Sequence, residues 1–193
     1  MSSPEHDGDV RARLAALLRR TRNTRVFTGS PVSGEALAGI LDIARWTGSA
    51  GNLQPWQIII VDDPAIVRAL AATGPNLPWL AGAPLLLVLA MEREAPDGGS
   101  FDEGRLAERI LAAARVYGLG AGLGWFLPGD ARQSASQLLG VPDRYQVRTV
   151  IAVGEPAIAT ERPEAPATPF PPSQARKPLS EITHRNRFGA ALE

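Results

Sequence analysis

The chain has 193 residues with 20 basic and 20 acidic side chains, no cysteine, and two histidines, His6 and His184. Its length suits one domain, and its balanced charge gives no overall field for nucleic acid or an anionic membrane. The missing thiols and scarce imidazoles exclude disulfides, a thiol nucleophile and an ordinary zinc site, so any demanding chemistry has to be borrowed from a cofactor.

Residues 1–9 are polar and unpatterned and predict a disordered, frayed start. Val10, Leu14, Leu17 and Leu18 then share one helical face, with arginines on the other. Ser33 is placed to cap a second helix, in which Leu37, Ile40, Leu41 and Ala44 form the apolar stripe and Arg45 meets the negative end of the dipole. Gln57 to Val61 is a β-branched run that reads as a buried central strand. Asp63 and Pro64 cap and start a short helix through Ala72, and Leu85 to Ala90 reads as a second buried strand. That run is the longest later apolar stretch and is far too short to span a bilayer, so a cytoplasmic protein without membrane contact is expected.

Asp102 opens a long helix whose Leu106, Ile110, Ala113, Ala114 and Tyr117 repeat at helical spacing, with small residues that let another helix approach closely. The glycines from Gly118 to Gly124 read as a flexible passage where backbone approaches something closely. Asp130 is placed to cap a helix ending at Gly140, and Val147 to Val153 is a third strand. The core, residues 10–154, ends there. Prolines dominate from Glu155 to Pro178, so residues 155–193 divide into an extended arm and a C-terminal segment where pattern returns.

Two familiar chemistries fail. The stretch TGSAG has Thr47 where a nucleophile elbow needs glycine, and it follows a helix where an elbow follows a strand. In GLGAGLG every frame of the dinucleotide fingerprint lacks its last glycine, which falls on Leu123, Trp125 or Leu127.

Four stretches do converge: TRNTRVFTGSPVS (21–33), ILDIARWTGSAGNLQPWQIIIV (40–61), GLGAGLGW (118–125) and RKPLSEITHRNRFG (176–189). In order and spacing they resemble the FMN-dependent nitroreductase family, over Arg20 to Gly189. The most specific block is Ser49-x-x-Asn52-x-Gln54-Pro55-Trp56 after an amphipathic helix. The resemblance implies an α+β, nitroreductase-like three-layer fold, with a central mixed β-sheet flanked by helices, working as an intertwined homodimer. It implies two FMN molecules at the subunit interface, each held by both chains, with residues 155–193 completing the dimer and the site.

On that resemblance the cofactor-binding residues are Arg22, Asn23 and Arg25 at one end, Ser49, Ala50, Asn52 and Gln54 from the loop, Asn76, Gly124, and Arg176 and Lys177 from the C-terminal segment. Arginine and lysine suit a phosphate of nearly two negative charges, an opposite-charge contact near 4 Å being worth ~4 kcal/mol at an effective dielectric of 20. Arg25 is positioned by family likeness to stabilise reduced flavin, and a backbone N–H between Gly122 and Leu127 to meet its N5. The alternative for Arg22 is a basic helix end complementing the dipole; for Ser49 and Asn52 it is turn formation. The chain departs from the family pattern at Thr21, where many members have arginine, at Asn23 for serine, at Gly48 for proline, and at Trp79, near a lysine of some relatives. No protein nucleophile or metal is needed.

The implied activity is NAD(P)H oxidation: NADH or NADPH reduces FMN, which reduces a small flat acceptor such as a nitroaromatic or quinone by a ping-pong hydride transfer. The rival from another class is an FMN-binding protein for storage, sensing or assembly, with little turnover.

Overall fold

The computed structural model describes residues 4–157 and 177–190, with side chains from Gly8 onward. The chain divides into two compact units, residues 1–160 and 161–193.

In the first unit, helix α1 spans Pro4–Arg20. The polar start expected to fray is therefore helical from Pro4: a proline suits the first turn of a helix, and Asp9 pairs with Arg13 at 2.8 Å. Helix α2, Gly34–Arg45, begins as read, with the Ser33 hydroxyl accepting from the Ala36 N–H at 3.1 Å. Strand β1 is Trp56–Val61 and helix α3 is Pro64–Ala71, capped by Asp63, whose carboxylate accepts from the Ala65 N–H at 2.7 Å. Strand β2 is Leu85–Glu92 and helix α4 is Ser100–Val116.

The glycine run is itself a strand, β3, Gly120–Trp125. Glycine carries no strand signal, so the sequence suggested a passage there. Helix α5, Asp130–Leu138, is entered from Gly129 at φ 90°, and the Asp130 side chain makes no capping bond, contrary to the sequence reading. Strand β4 is Tyr145–Gly154.

The strands lie in the order β1-β2-β4-β3, every neighbouring pair antiparallel. Among the described residues, the mixed character implied by family likeness is confined to one parallel bridge, Asn23 to Ala121, beside β3. Strand β1 is not central but an edge: Ile60 is 44% exposed. An isoleucine run reads alike at edge and centre, because alternation is lost in both.

Helices cover both faces of the sheet. On β2, Leu85, Leu87 and Leu89 face α2 and α4, whereas Leu86, Val88 and Ala90 face α3 and α5. The small residues of α4 do admit a close neighbour: Ala113 and Ala114 pack with Ile40 and Ala44 of α2. A side chain at Gly39 would collide with the Tyr117 ring. Among the described residues no helix is long and apolar enough to cross a membrane.

In the second unit, described over residues 177–190, α6 is a short helix, Leu179–Ile182, and the His184 and Phe188 rings pack at 4.3 Å.

Candidate functional site

Strand β3 positions most of what the sequence singled out. It is an edge, so only one side of its backbone is taken by the sheet. The Phe126 N–H donates to Arg148 O across the pair with β4 at 2.9 Å, while the Leu123 N–H turns the other way, to Asn23 Oδ1, at 2.9 Å. Alternation then sends the Gly122 and Gly124 backbone groups inward to β4 and those of Ala121, Leu123 and Trp125 outward. The expected N–H donor to a ligand therefore narrows, within the strand, to Trp125; Gly124 has turned its own toward Val150.

Along that outward edge lies the segment after α1. The Thr24 N–H donates to Ala121 O at 2.8 Å, and a side chain at Gly122 would sit 2.0 Å from Thr24 O. Only glycine lets the segment lie so close. This contact supplies the physical reason for the glycines: they admit the Asn23–Arg25 backbone and the Trp79 indole, which covers Gly122 and Gly124.

Arg25 is held at this edge by the same indole, its guanidinium 5.6 Å from the Trp79 ring centroid, a cation–π contact that leaves its outer face in solvent. Asn76 ties the turn before Trp79 to the strand: its Nδ2 donates to Trp125 O at 3.1 Å, and its carbonyl accepts from Trp79 Nε1 at 3.1 Å. Arg22 points elsewhere. Its Nη1 donates to the carbonyls of Arg19 and Thr21 at the end of α1, which is the helix-end reading of this residue.

The loop Ser49–Gln54 forms a second cluster. Gly51, Asn52 and Gln54 all have positive φ, at 55°, 57° and 50°. For asparagine this is common, but for glutamine it is a real strain. Local bonds hold the shape: Ser49 Oγ accepts from the Gln54 N–H at 2.8 Å, and Gln54 Nε2 donates to Asn52 O at 3.3 Å. The Ala50 N–H anchors the loop to α4 through Asp102 Oδ2 at 3.1 Å. Among the described residues no hydrogen bond or ion pair joins this loop to Arg22–Arg25.

Lys177 is exposed in the second unit, and Arg176 lies outside the described residues. Sequence reasoning missed two features. Trp79 was noted only as a departure, and its role as the platform for Arg25 has no sequence signal. The buried Glu103 of α4 and the half-buried Arg148 of β4, which face each other, left a weak one: a charge inside an apolar strand, and another in the first turn of a helix with an apolar stripe.

The donor set fits an anionic, planar cofactor. The strand edge offers an outward N–H at Trp125, an exposed guanidinium at Arg25 and amides at Asn23 and Asn76, and apolar surface lies beside them. No group of three or more metal-ligating side chains occurs among the described residues.

Comparison with known proteins identifies the family. The sequence pattern of the nitroreductase family matches residues 18–73, which contain both the β3-edge segment and the strained loop. A protein of Archaeoglobus fulgidus named "Putative NADH dehydrogenase/NAD(P)H nitroreductase" is 31% identical over 140 residues, 70% of this chain and 80% of that one. The 5,6-dimethylbenzimidazole synthase of Rhodospirillum rubrum is 27% identical over 187 residues, 80% of this chain and 87% of that one. A solved structure of an FMN-dependent nitroreductase from Clostridium difficile R20291 superposes with a TM-score of 0.75 at 25% identity, covering 89% of this chain and 98% of that one. The matched stretch, the likeness across most of a relative's length and the shared three-layer fold agree, and the protein belongs to the nitroreductase family.

Proposed function

We propose that the protein is an FMN-dependent NAD(P)H oxidoreductase acting on small flat acceptors such as nitroaromatics and quinones. The observation that carries this reading is the edge of β3, where Arg25, Asn23, Asn76 and the outward Trp125 N–H meet beside the Trp79 ring. Bound FMN would supply the redox chemistry, taking a hydride from the nicotinamide and passing electrons to the acceptor.

The chain's own residues hold and bias that cofactor. Arg25 would present a fixed cation to the negative charge that bound FMN gains on reduction, and stacking on Trp79 would lower the cost of holding it there. The Trp125 N–H offers a directed donor at the strand edge, and Asn76 keeps that end of β3 in place through Trp125 O. Arg22 neutralises phosphate only by leaving the carbonyls of α1.

We also propose that Ser49, Ala50, Asn52 and Gln54 serve the site of a second copy, and that Lys177 and Arg176 close the phosphate end. A second copy is supported by the apolar surface between α1 and α4, a groove of about 760 Å³ lined in part by Leu17, Leu18, Phe101 and Val116. Phe101 is 72% exposed on it, beside the charged Arg105, Glu108 and Arg109, and exposed apolar side chains rimmed by polar ones suit association with a second copy.

Two measurements test the reading. The purified protein should be yellow, or become so with added FMN, and should bleach anaerobically with NADH or NADPH. A colourless protein that refuses FMN, or a yellow one neither nucleotide reduces, overturns it. Sedimentation should give twice the chain mass of 20.5 kDa; a monomer removes the shared site.

A further inference from the structure

Glu103 is, with the neighbouring Asp102, one of two buried carboxylates among the described residues. It lies in the first turn of α4, is 5% exposed, and belongs to a helix whose neighbouring positions Leu106, Ala107 and Ile110 are core. A buried carboxylate is tolerated only when paired. Arg148 provides the pairing from β4, its Nε donating to Glu103 Oε2 at 2.8 Å. The rest of that guanidinium is committed as well, Nη1 to Ser100 Oγ at 2.9 Å and Nη2 to Gly98 O at 3.1 Å. Yet only half of the carboxylate is satisfied. Glu103 Oε1 is buried and has no hydrogen-bond partner among the described residues. Leaving such an acceptor without a donor costs about 1–3 kcal/mol, so the fold holds this oxygen against its own stability.

Glu103 lines a cavity of about 410 Å³ on the α4 side of β3 and β4. Leu123 and Trp125 form an apolar and aromatic wall, and Arg132 reaches the same cavity from α5. Arg132 donates through Nε to Phe126 O at 3.1 Å; its two terminal nitrogens make no hydrogen bond or ion pair among the described residues. Burial, then the neighbouring Arg148, holds its pKa below the ordinary arginine value. The cavity is thus lined by Glu103, whose covered Oε1 lacks a donor, and by Arg132, whose terminal nitrogens lack an acceptor among the described residues, beside an aromatic wall. Its volume falls within the usual range for small-molecule pockets.

We propose that this cavity is a subsite for a planar primary carboxamide, whose NH₂ donates to Glu103 Oε1 and whose carbonyl accepts from Arg132. A carboxylate in the same position sets oxygen against oxygen at Glu103, and an ester or ketone supplies no donor. The oxygen is covered, so a ligand engages it as a wall side chain moves; Trp125, 56% exposed, is the large wall residue with the most room to do so. Identifying the amide with the nicotinamide of a reductant rests on the oxidoreductase reading above; the polarity of the cavity does not.

Calorimetric titration of the protein as purified with nicotinamide and with nicotinate tests the proposal without any turnover. The wild type should bind nicotinamide about tenfold more tightly than nicotinate, the worth of one well-made hydrogen bond to a charged group. Glu103→Gln keeps the shape and an oxygen for Arg148 but offers an NH₂ in place of Oε1, so the preference should invert toward nicotinate. A merely structural role for Glu103 lowers the melting temperature and leaves the ratio alone. Should Glu103→Gln fail to fold, Arg132→Gln provides the second arm and should weaken nicotinamide binding several-fold. A wild type that prefers nicotinate, an unchanged ratio in folded Glu103→Gln, or undiminished nicotinamide binding in Arg132→Gln overturns the proposal. Amide binding by a protein that refuses FMN would instead sink the oxidoreductase reading and leave the subsite standing.

Discussion

The segment Arg22–Phe27 and the loop Ser49–Gln54 both carry polar residues expected to touch the cofactor, but they are held in opposite ways. The first is built into its own chain: Thr24 and Asn23 bond the edge of β3, Arg25 stacks on Trp79, and Phe27 is buried in the core. The second bonds chiefly to itself, keeps Asn52 and Gln54 in the left-handed region, and shows its side chains to solvent. Backbone strain maintained by a few local hydrogen bonds on an exposed loop is characteristic of a surface pre-shaped for a ligand or partner. In the proposed site, the first segment would be the half completed inside the chain and the loop the half offered to a second copy.

The largest blow to this comparison comes from Gly122→Ala. The added carbon would lie 2.0 Å from Thr24 O and 3.0 Å from the Trp79 ring, and the backbone oxygen has nowhere to go without lifting the segment off β3. We expect a stability loss of about 1–3 kcal/mol, typical of overpacking, together with loss of FMN binding. Thermal melts and FMN titration measure both. Intact FMN affinity in the variant would mean that the segment's seat on β3 does not matter to the site.

The second experiment sharpens the contrast by separating the two halves. Arg25→Ala should weaken FMN binding about tenfold or more, the loss of one charge contact to the cofactor. Asn52→Ala, on an exposed loop, should leave the melting temperature nearly unchanged while activity falls. If the halves of one site come from different copies, mixing the two variants after dissociation rebuilds an intact site in each mixed dimer, so about a quarter of the sites recover by random pairing. No recovery on mixing, with exchange of subunits verified, would place both halves on one chain.

The legible parts of this fold are those where side chains carry the signal. Ser33 and Asp63 cap their helices as read, and the alternate faces of β2 are core, as are Leu106, Ile110, Ala113 and Ala114 of the α4 stripe; Tyr117, read with them, follows the helix and is exposed. Strand β3 was not legible, because Gly122 and Gly124 act by lacking side chains, and what they admit, Thr24 and Trp79, is remote in sequence. The position of β1 at an edge was hidden for a different reason: Ile58, Ile59 and Ile60 read as a run covered on both faces, whereas β1 pairs only with β2 in the described sheet and Ile60 is exposed. Among the candidate site residues, the loop and the arginines were singled out by family likeness. The pairing of Arg25 with Trp79, and of Glu103 with Arg148, depends on which elements the topology brings face to face.

The smallest expected effect is the most discriminating between the two arginines of the β3-edge segment. Arg22 and Arg25 are three positions apart and equally charged, and a reading by composition would give them equal weight. The structure does not: Arg22 donates to Arg19 O and Thr21 O, closing the carbonyl end of α1, whereas Arg25 is stacked and keeps its donors outward. A cation that already neutralises a helix end gives up that interaction before it can serve a phosphate. Arg22→Ala should therefore change FMN affinity by no more than about threefold and the melting temperature by about 2 °C or less. A tenfold loss of FMN affinity at unchanged stability would show that Arg22 leaves α1 when the phosphate arrives, and the division of labour between the two arginines would have to be redrawn.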